Sequence, residues 1–146
     1  MEKFKKREIV EKLGIPSRRL QFITDQGLLS DTEKFPGRGK DRFYSRINIF
    51  EILLVEELNK YGFPTGNIKN ILQQTTFIKG YHSILSGNDD LPGMFLIVSD
   101  DGSVSSTIQR DFDTMKPDDV IKIDMVGKIS VFIINIKALV NKAIFA

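Results

Sequence analysis

The sequence contains no cysteine and a single histidine, His82. Without thiols there can be no disulfide, no thiolate metal site and no cysteine nucleophile. A zinc site would have to be assembled from carboxylates around one imidazole. A Ser-His-Asp triad would have to use His82 without the Gly-x-Ser-x-Gly elbow that exposes such a serine. No phosphate-cradling glycine loop is present either, so no metal, cofactor or enzymatic activity is expected. No apolar run approaches the ~20 residues needed to cross a bilayer. The basic start, Met1 to Arg7, leads into no hydrophobic signal core. No membrane association is expected, and the chain reads as cytoplasmic and nucleoid-associated.

What is present suits one compact domain or two very small ones: 146 residues, 41% hydrophobic and 27% charged. The net charge of +2 is unevenly spread. Residues 1–46 hold 12 Lys/Arg against 7 Asp/Glu, 47–79 hold 3 against 3, and 80–146 hold 6 against 9. The positive end is the N-terminal one, which is the electrostatic footprint suited to a phosphate backbone. The competing reading is a solvated surface with a chance imbalance.

Helical spacing of Ile9, Val10 and Leu13 predicts a first helix over 7–13, stopped by Gly14. Pro16 and Ser17 open a second helix to about Gln26, with Leu20 and Ile23 on its inner side and Gly27 after it. Two short helices joined by Gly-Ile-Pro-Ser make a helix-turn-helix. The stretch 30–41 is polar and rich in turn formers. It leads into the β-prone Arg42-Phe43-Tyr44, so a basic wing between two short strands is expected, or else a flexible loop. Ser45 is an N-cap for a helix over 46–61, and Pro64-Thr65 starts a fourth, carrying Ile68, Ile71 and Leu72. Beyond Gly80 the pattern turns β-rich: a linker, a strand over Met94–Ser99, a hairpin signal at Asp101-Gly102 and a returning strand over Val104–Gln109. An alternating piece follows over Val120–Met125, then one long apolar helix over 129–145. The pairs Asp100-Asp101 and Asp118-Asp119 read as turn residues rather than a cation site.

Several landmarks recur in a fixed order: Gly14-Ile15, Leu20-Gln21-Phe22-Ile23, Gly27-Leu28-Leu29, Arg42-Phe43-Tyr44-Ser45, and Gly62-Phe63-Pro64-Thr65 followed by Ile68-Lys69 and Leu72. Together they resemble the DNA-binding domain of the MerR family of transcriptional regulators over about residues 4–72. Where that family has Leu-Arg-Tyr-Tyr, this chain has Leu20-Gln21-Phe22-Ile23, which removes one cation and two hydroxyls. Many members continue into a long coiled-coil helix, whereas this chain becomes β-rich. The resemblance implies a MerR-like winged helix-turn-helix domain (1–76), and the C-terminal half falls outside it. With the residue pattern beyond Gly80, the reading is an α+β protein in which a linker (77–93) leads to a small C-terminal α/β dimerisation or effector domain (94–146). It implies double-stranded DNA as partner, and brings in RNA polymerase and an unidentified small-molecule effector as candidate partners.

The recognition helix would then lie in the major groove, where each base pair shows a distinct donor and acceptor pattern. The expected DNA contacts are Ser17, Arg18, Arg19, Gln21, Phe22 and Thr24 on that helix, with Arg38, Lys40 and Arg42 in the wing. Arg18 suits a two-pronged contact to guanine and Gln21 one to adenine. The alternative for Arg18 and Arg19 is a solvated helix start. Tyr44 has two readings: a phosphate donor, or an aromatic packing the wing against the helices. A homodimer is expected because one such module buries little DNA. The helix over 129–145 also shows a second apolar face, Val131, Ile134, Ala138 and Phe145, available to a symmetry mate or to residues 77–96 of the same chain. Two other readings stand beside the regulator: an excisionase-type or architectural DNA-binding protein, and a winged-helix protein-interaction module.

Overall fold

The computed structural model describes residues 3–30, 42–74, 93–99, 104–109 and 131–144. The elements run β1 (Phe4–Lys5), α1 (Lys6–Leu13), α2 (Ser17–Asp25), β2 (Phe43–Tyr44), α3 (Arg46–Lys60), α4 (Thr65–Gln74), β3 (Gly93–Ser99), β4 (Val104–Gln109), β5 (Val131–Asn135) and α5 (Ile136–Ile144). Among them no helix is long and apolar enough to cross a membrane.

Local chemistry sets the helix ends. The Lys5 backbone N–H donates to the Glu8 carboxylate at 2.6 Å, which holds the first turn of α1. At the other end Gly14 takes φ 66° and returns its N–H to the Val10 carbonyl. That left-handed turn is open to glycine at little cost and lets the chain double back within three residues. α3 opens with a reciprocal cap: Ser45 Oγ accepts the Asn48 N–H at 3.2 Å, and Asn48 Oδ1 accepts the Ser45 N–H at 2.9 Å.

α3 is the centre of the fold. All nine residues from Ile47 to Val55 are buried, and so is Leu58. A helix buried on every side must be packed from more than one direction. α1 and α2 bring Ile9, Leu20 and Ile23 to the core, β1 and β2 bring Phe4 and Tyr44, and α4 brings Ile68 and Ile71. Ile134 of β5 and Ala143 of α5 belong to the same core, with Leu139 packed against it. Arg46, at the start of α3, donates from Nη1 to the Ala143 carbonyl at 2.8 Å, and its guanidinium lies 5.1 Å from the centre of the Phe4 ring.

β1 and β2 form a two-stranded antiparallel sheet, with Phe4 opposite Tyr44. β3 is the middle strand of a second antiparallel sheet, between β4 and β5. Residues 131–135 are therefore a strand paired to β3, and the helix begins only at Ile136. The single helix expected over 129–145 is corrected accordingly. Val131-Phe132-Ile133-Ile134 is dense in β-branched residues, which favour a pleated surface flanked by neighbours. The expected turn at Asp101-Gly102, the strand over Val120–Met125, nearly all of the 77–93 linker, and His82 lie outside the described residues.

Candidate nucleic-acid interface

α2 turns Leu20, Ile23 and Thr24 into the core. Because a helix advances about 100° per residue, Arg18, Gln21, Phe22 and Asp25 then share the opposite, outward face. Arg18 is exposed, as is Ser17 beside it, and Arg18 has no ion-pair partner among the described residues. Phe22 is 47% exposed.

The other polar groups around this face are tied to one another. Gln21 Nε2 donates to both Asp25 oxygens at 2.9 and 3.0 Å, and Gln21 Oε1 accepts from Lys6 Nζ at 3.0 Å. Arg42, just before β2, donates from Nη1 to Asp25 Oδ1 at 3.3 Å. The Asp25 carboxyl is held below its ordinary range by the Gln21 hydrogen bond above all; desolvation opposes it, and Arg42 and then Lys6 lower it further. The arrangement ties the start of α1, the end of α2 and the approach to β2 into one cluster. Among the described residues of this cluster, the cations Lys6, Arg18 and Arg42 outnumber the one carboxylate, Asp25.

These placements separate the expected contacts into groups. Ser17, Arg18 and Phe22 are exposed, with no side-chain partner among the described residues. Gln21 spends both its donor and its acceptor within the molecule. Arg42 has a side chain only 14% exposed and faces Asp25. Arg19 is turned sideways, donating to Glu56 of α3 through an ion pair that braces the two helices. Two expectations are corrected: Thr24 and Tyr44 do not face outward. Each is 1% exposed, their hydroxyls are 3.0 Å apart, and Thr24 also donates to the Leu20 carbonyl at 2.7 Å. For Tyr44 the packing alternative holds. Arg38 and Lys40 lie outside the described residues. Among the expected dimer residues, Ile134 is buried in its own chain and Ala138 is exposed, while Phe145 is not described and nothing is described of the Val131 side chain.

Two participants were not expected. Asp25 organises the outward face, and the signal was its i,i+4 spacing from Gln21. Glu51 is 2% exposed and accepts the Ser30 N–H at 3.1 Å, the Ser30 hydroxyl at 2.7 Å and the Asn48 amide at 3.0 Å. Asn48 Nδ2 also donates to the Ser30 carbonyl at 2.7 Å. Because Asn48 also binds Ser45, this set joins Ser30, just after α2, to the start of α3.

A short turn between two helices, an outward cationic face on the second, and a two-stranded sheet against its end define a helix-turn-helix domain of the DNA-binding kind. A family model described as MerR HTH family regulatory protein matches residues 4–75. The N-terminal half of the chain is a MerR-type helix-turn-helix domain, the DNA-binding unit of a transcription regulator. No curated protein matches the chain.

Proposed function

We propose that the chain is a cytoplasmic, sequence-specific regulator that binds double-stranded DNA as a homodimer, with α2 in the major groove and the 31–41 segment as a wing along the phosphates. The observation that carries this is the outward face of α2: an exposed Arg18 with no ion-pair partner among the described residues, on a surface where the described cations outnumber the carboxylate. Arg18 supplies the base contact. Arg42 and Lys6 supply field and orientation rather than direct readout, since both already hold the Asp25–Gln21 pair. Arg38 and Lys40 belong to the proposed wing and would grip phosphates there. The residue ranges 1–76 and 94–146 are the proposed DNA-binding and dimerisation or effector units. Ala138 is the exposed α5 position of the proposed dimer face. RNA polymerase and a small-molecule effector are the partners such a regulator would take.

The test is selection of bound duplexes from a random pool by the full chain. A palindromic consensus is the expected product, because a twofold dimer reads two half-sites a helical turn apart. Binding without a consensus would replace this reading with an architectural one, and no binding at low salt would reject both. On the selected duplex, Arg18→Ala should lower affinity by about 10-fold or more, in keeping with the loss of one good base contact. Arg42→Ala should act more weakly, and its salt dependence should flatten by less than the roughly one unit of slope that a lost phosphate contact gives.

A further inference from the structure

Phe22 is unusual among the side chains of α2. The inner face is filled by Leu20 and Ile23, both fully buried, with Thr24 at 1% exposure. The core therefore does not call for a phenylalanine on the other side, where Phe22 remains 47% exposed. It lies one turn beyond Arg18, about 6 Å along the axis and close to two base-pair steps. The hydrogen-bonding residue next to it, Gln21, is committed to Asp25 and Lys6.

An aromatic ring without donor or acceptor is a poor neighbour for most of what the groove offers. Set against a phosphate oxygen or a purine N7/O6 edge, it would strip water from an acceptor and return no hydrogen bond. The major groove displays one apolar group, the C5-methyl of thymine. The geometry points to Phe22 as a thymine reader: its ring covers that methyl group about two base-pair steps from the base contacted by Arg18. This rests on the DNA-binding reading above and adds to it a base identity at a position where no hydrogen bond is made.

Replacing thymine by deoxyuridine removes the methyl group and leaves every hydrogen-bonding edge in place. With the full-length protein and its selected duplex, each thymine is replaced in turn and affinity is read by titration. The wild-type chain should lose about four-fold at one position per half-site, the factor that corresponds to burying one methyl group. Phe22→Ala, checked for folding by its circular-dichroism melt, should bind the thymine and deoxyuridine duplexes alike. Phe22→Tyr keeps the ring and should keep the discrimination. Arg18→Ala should bind more weakly overall and still discriminate about four-fold. A wild-type chain indifferent to deoxyuridine at every position, a selected site lacking thymine, or a Phe22→Ala variant that still discriminates would each overturn the assignment while leaving DNA binding intact. Failure to bind any duplex would instead remove the DNA-binding reading itself.

Discussion

Two polar clusters hold the N-terminal half in shape, and they sit in opposite surroundings. Asn48 and Glu51, each 2% exposed, join beneath the surface and reach out to the exposed Ser30. Lys6, Gln21, Asp25 and Arg42 join at the surface, where the Asp25 side chain is 47% exposed. Both sets include an acid accepting from an amide. In the first, water cannot readily replace a lost partner of the buried Asn48 and Glu51 side chains, so their hydrogen bonds carry the desolvation of the groups they satisfy. In the second, water and salt screen every pair, and the cluster contributes orientation more than stability. The buried set fixes where the chain leaves α2 and enters α3. The exposed set decides what the outward face of α2 presents.

The comparison can be broken at several points. The largest effect is expected from Glu51→Ala, which leaves the Ser30 N–H and the Asn48 amide short of an acceptor. It should cost about 3 kcal/mol of unfolding free energy, measured by urea denaturation. A loss as small as that of an exposed residue would show that water enters the cluster. Tyr44→Phe is intermediate: it removes one partner of a buried hydroxyl pair and should cost about 1 kcal/mol. Adding Thr24→Val to it should cost less than the two single losses together, because the pair is then removed as a unit. Asp25→Asn should be smallest in stability, barely moving the melt at neutral pH, while DNA affinity rises because a carboxylate leaves the phosphate-facing surface.

The Asp25 pair also has a definite pH dependence. Its folded-state carboxyl is held below the ordinary range, so its contribution is complete above the unfolded value of about 4 and fades as pH falls through the lower folded value. Melting curves taken down through that window should show a slightly shallower acid loss for Asp25→Asn than for the parent chain. An identical acid limb would mean that the hydrogen bonds to Gln21 and Arg42 do not persist in solution.

The same contrast explains what was legible in the sequence. Helix starts and stops were, because Ser45, Gly14 and Gly62 act on neighbours a few residues away. The inward face of α2 was legible too, from the spacing of Leu20 and Ile23. Thr24 was not. It sits at the edge of that face, and what turns it inward is the hydroxyl of Tyr44, twenty positions later in the chain. Glu51 reads as an ordinary helix carboxylate until Ser30 is brought against it across 21 positions. Residues 131–135 carry an apolar pattern that fits a helix wheel and a buried strand equally well. Pairing with β3, which is far away in sequence, decides between them. The outward placement of Arg18 and Phe22 was legible because it depends on one helix alone. The sequestering of Gln21, Arg19 and Arg42 was not, because each is held by a partner from another element or by an acid not counted as part of the site.

The complete enclosure of α3 between Ile47 and Val55 also bears on how the protein can be divided. One side of that helix is covered by material from the far end of the chain, including Ala143, whose carbonyl caps Arg46. A fragment ending near residue 76 would keep every element of the helix-turn-helix and still leave a strip of its central helix wet. Such a fragment should bind hydrophobic dyes and self-associate, and any event that loosens α5 would be felt first at Arg46 and Phe4, at the root of the small sheet beside α2.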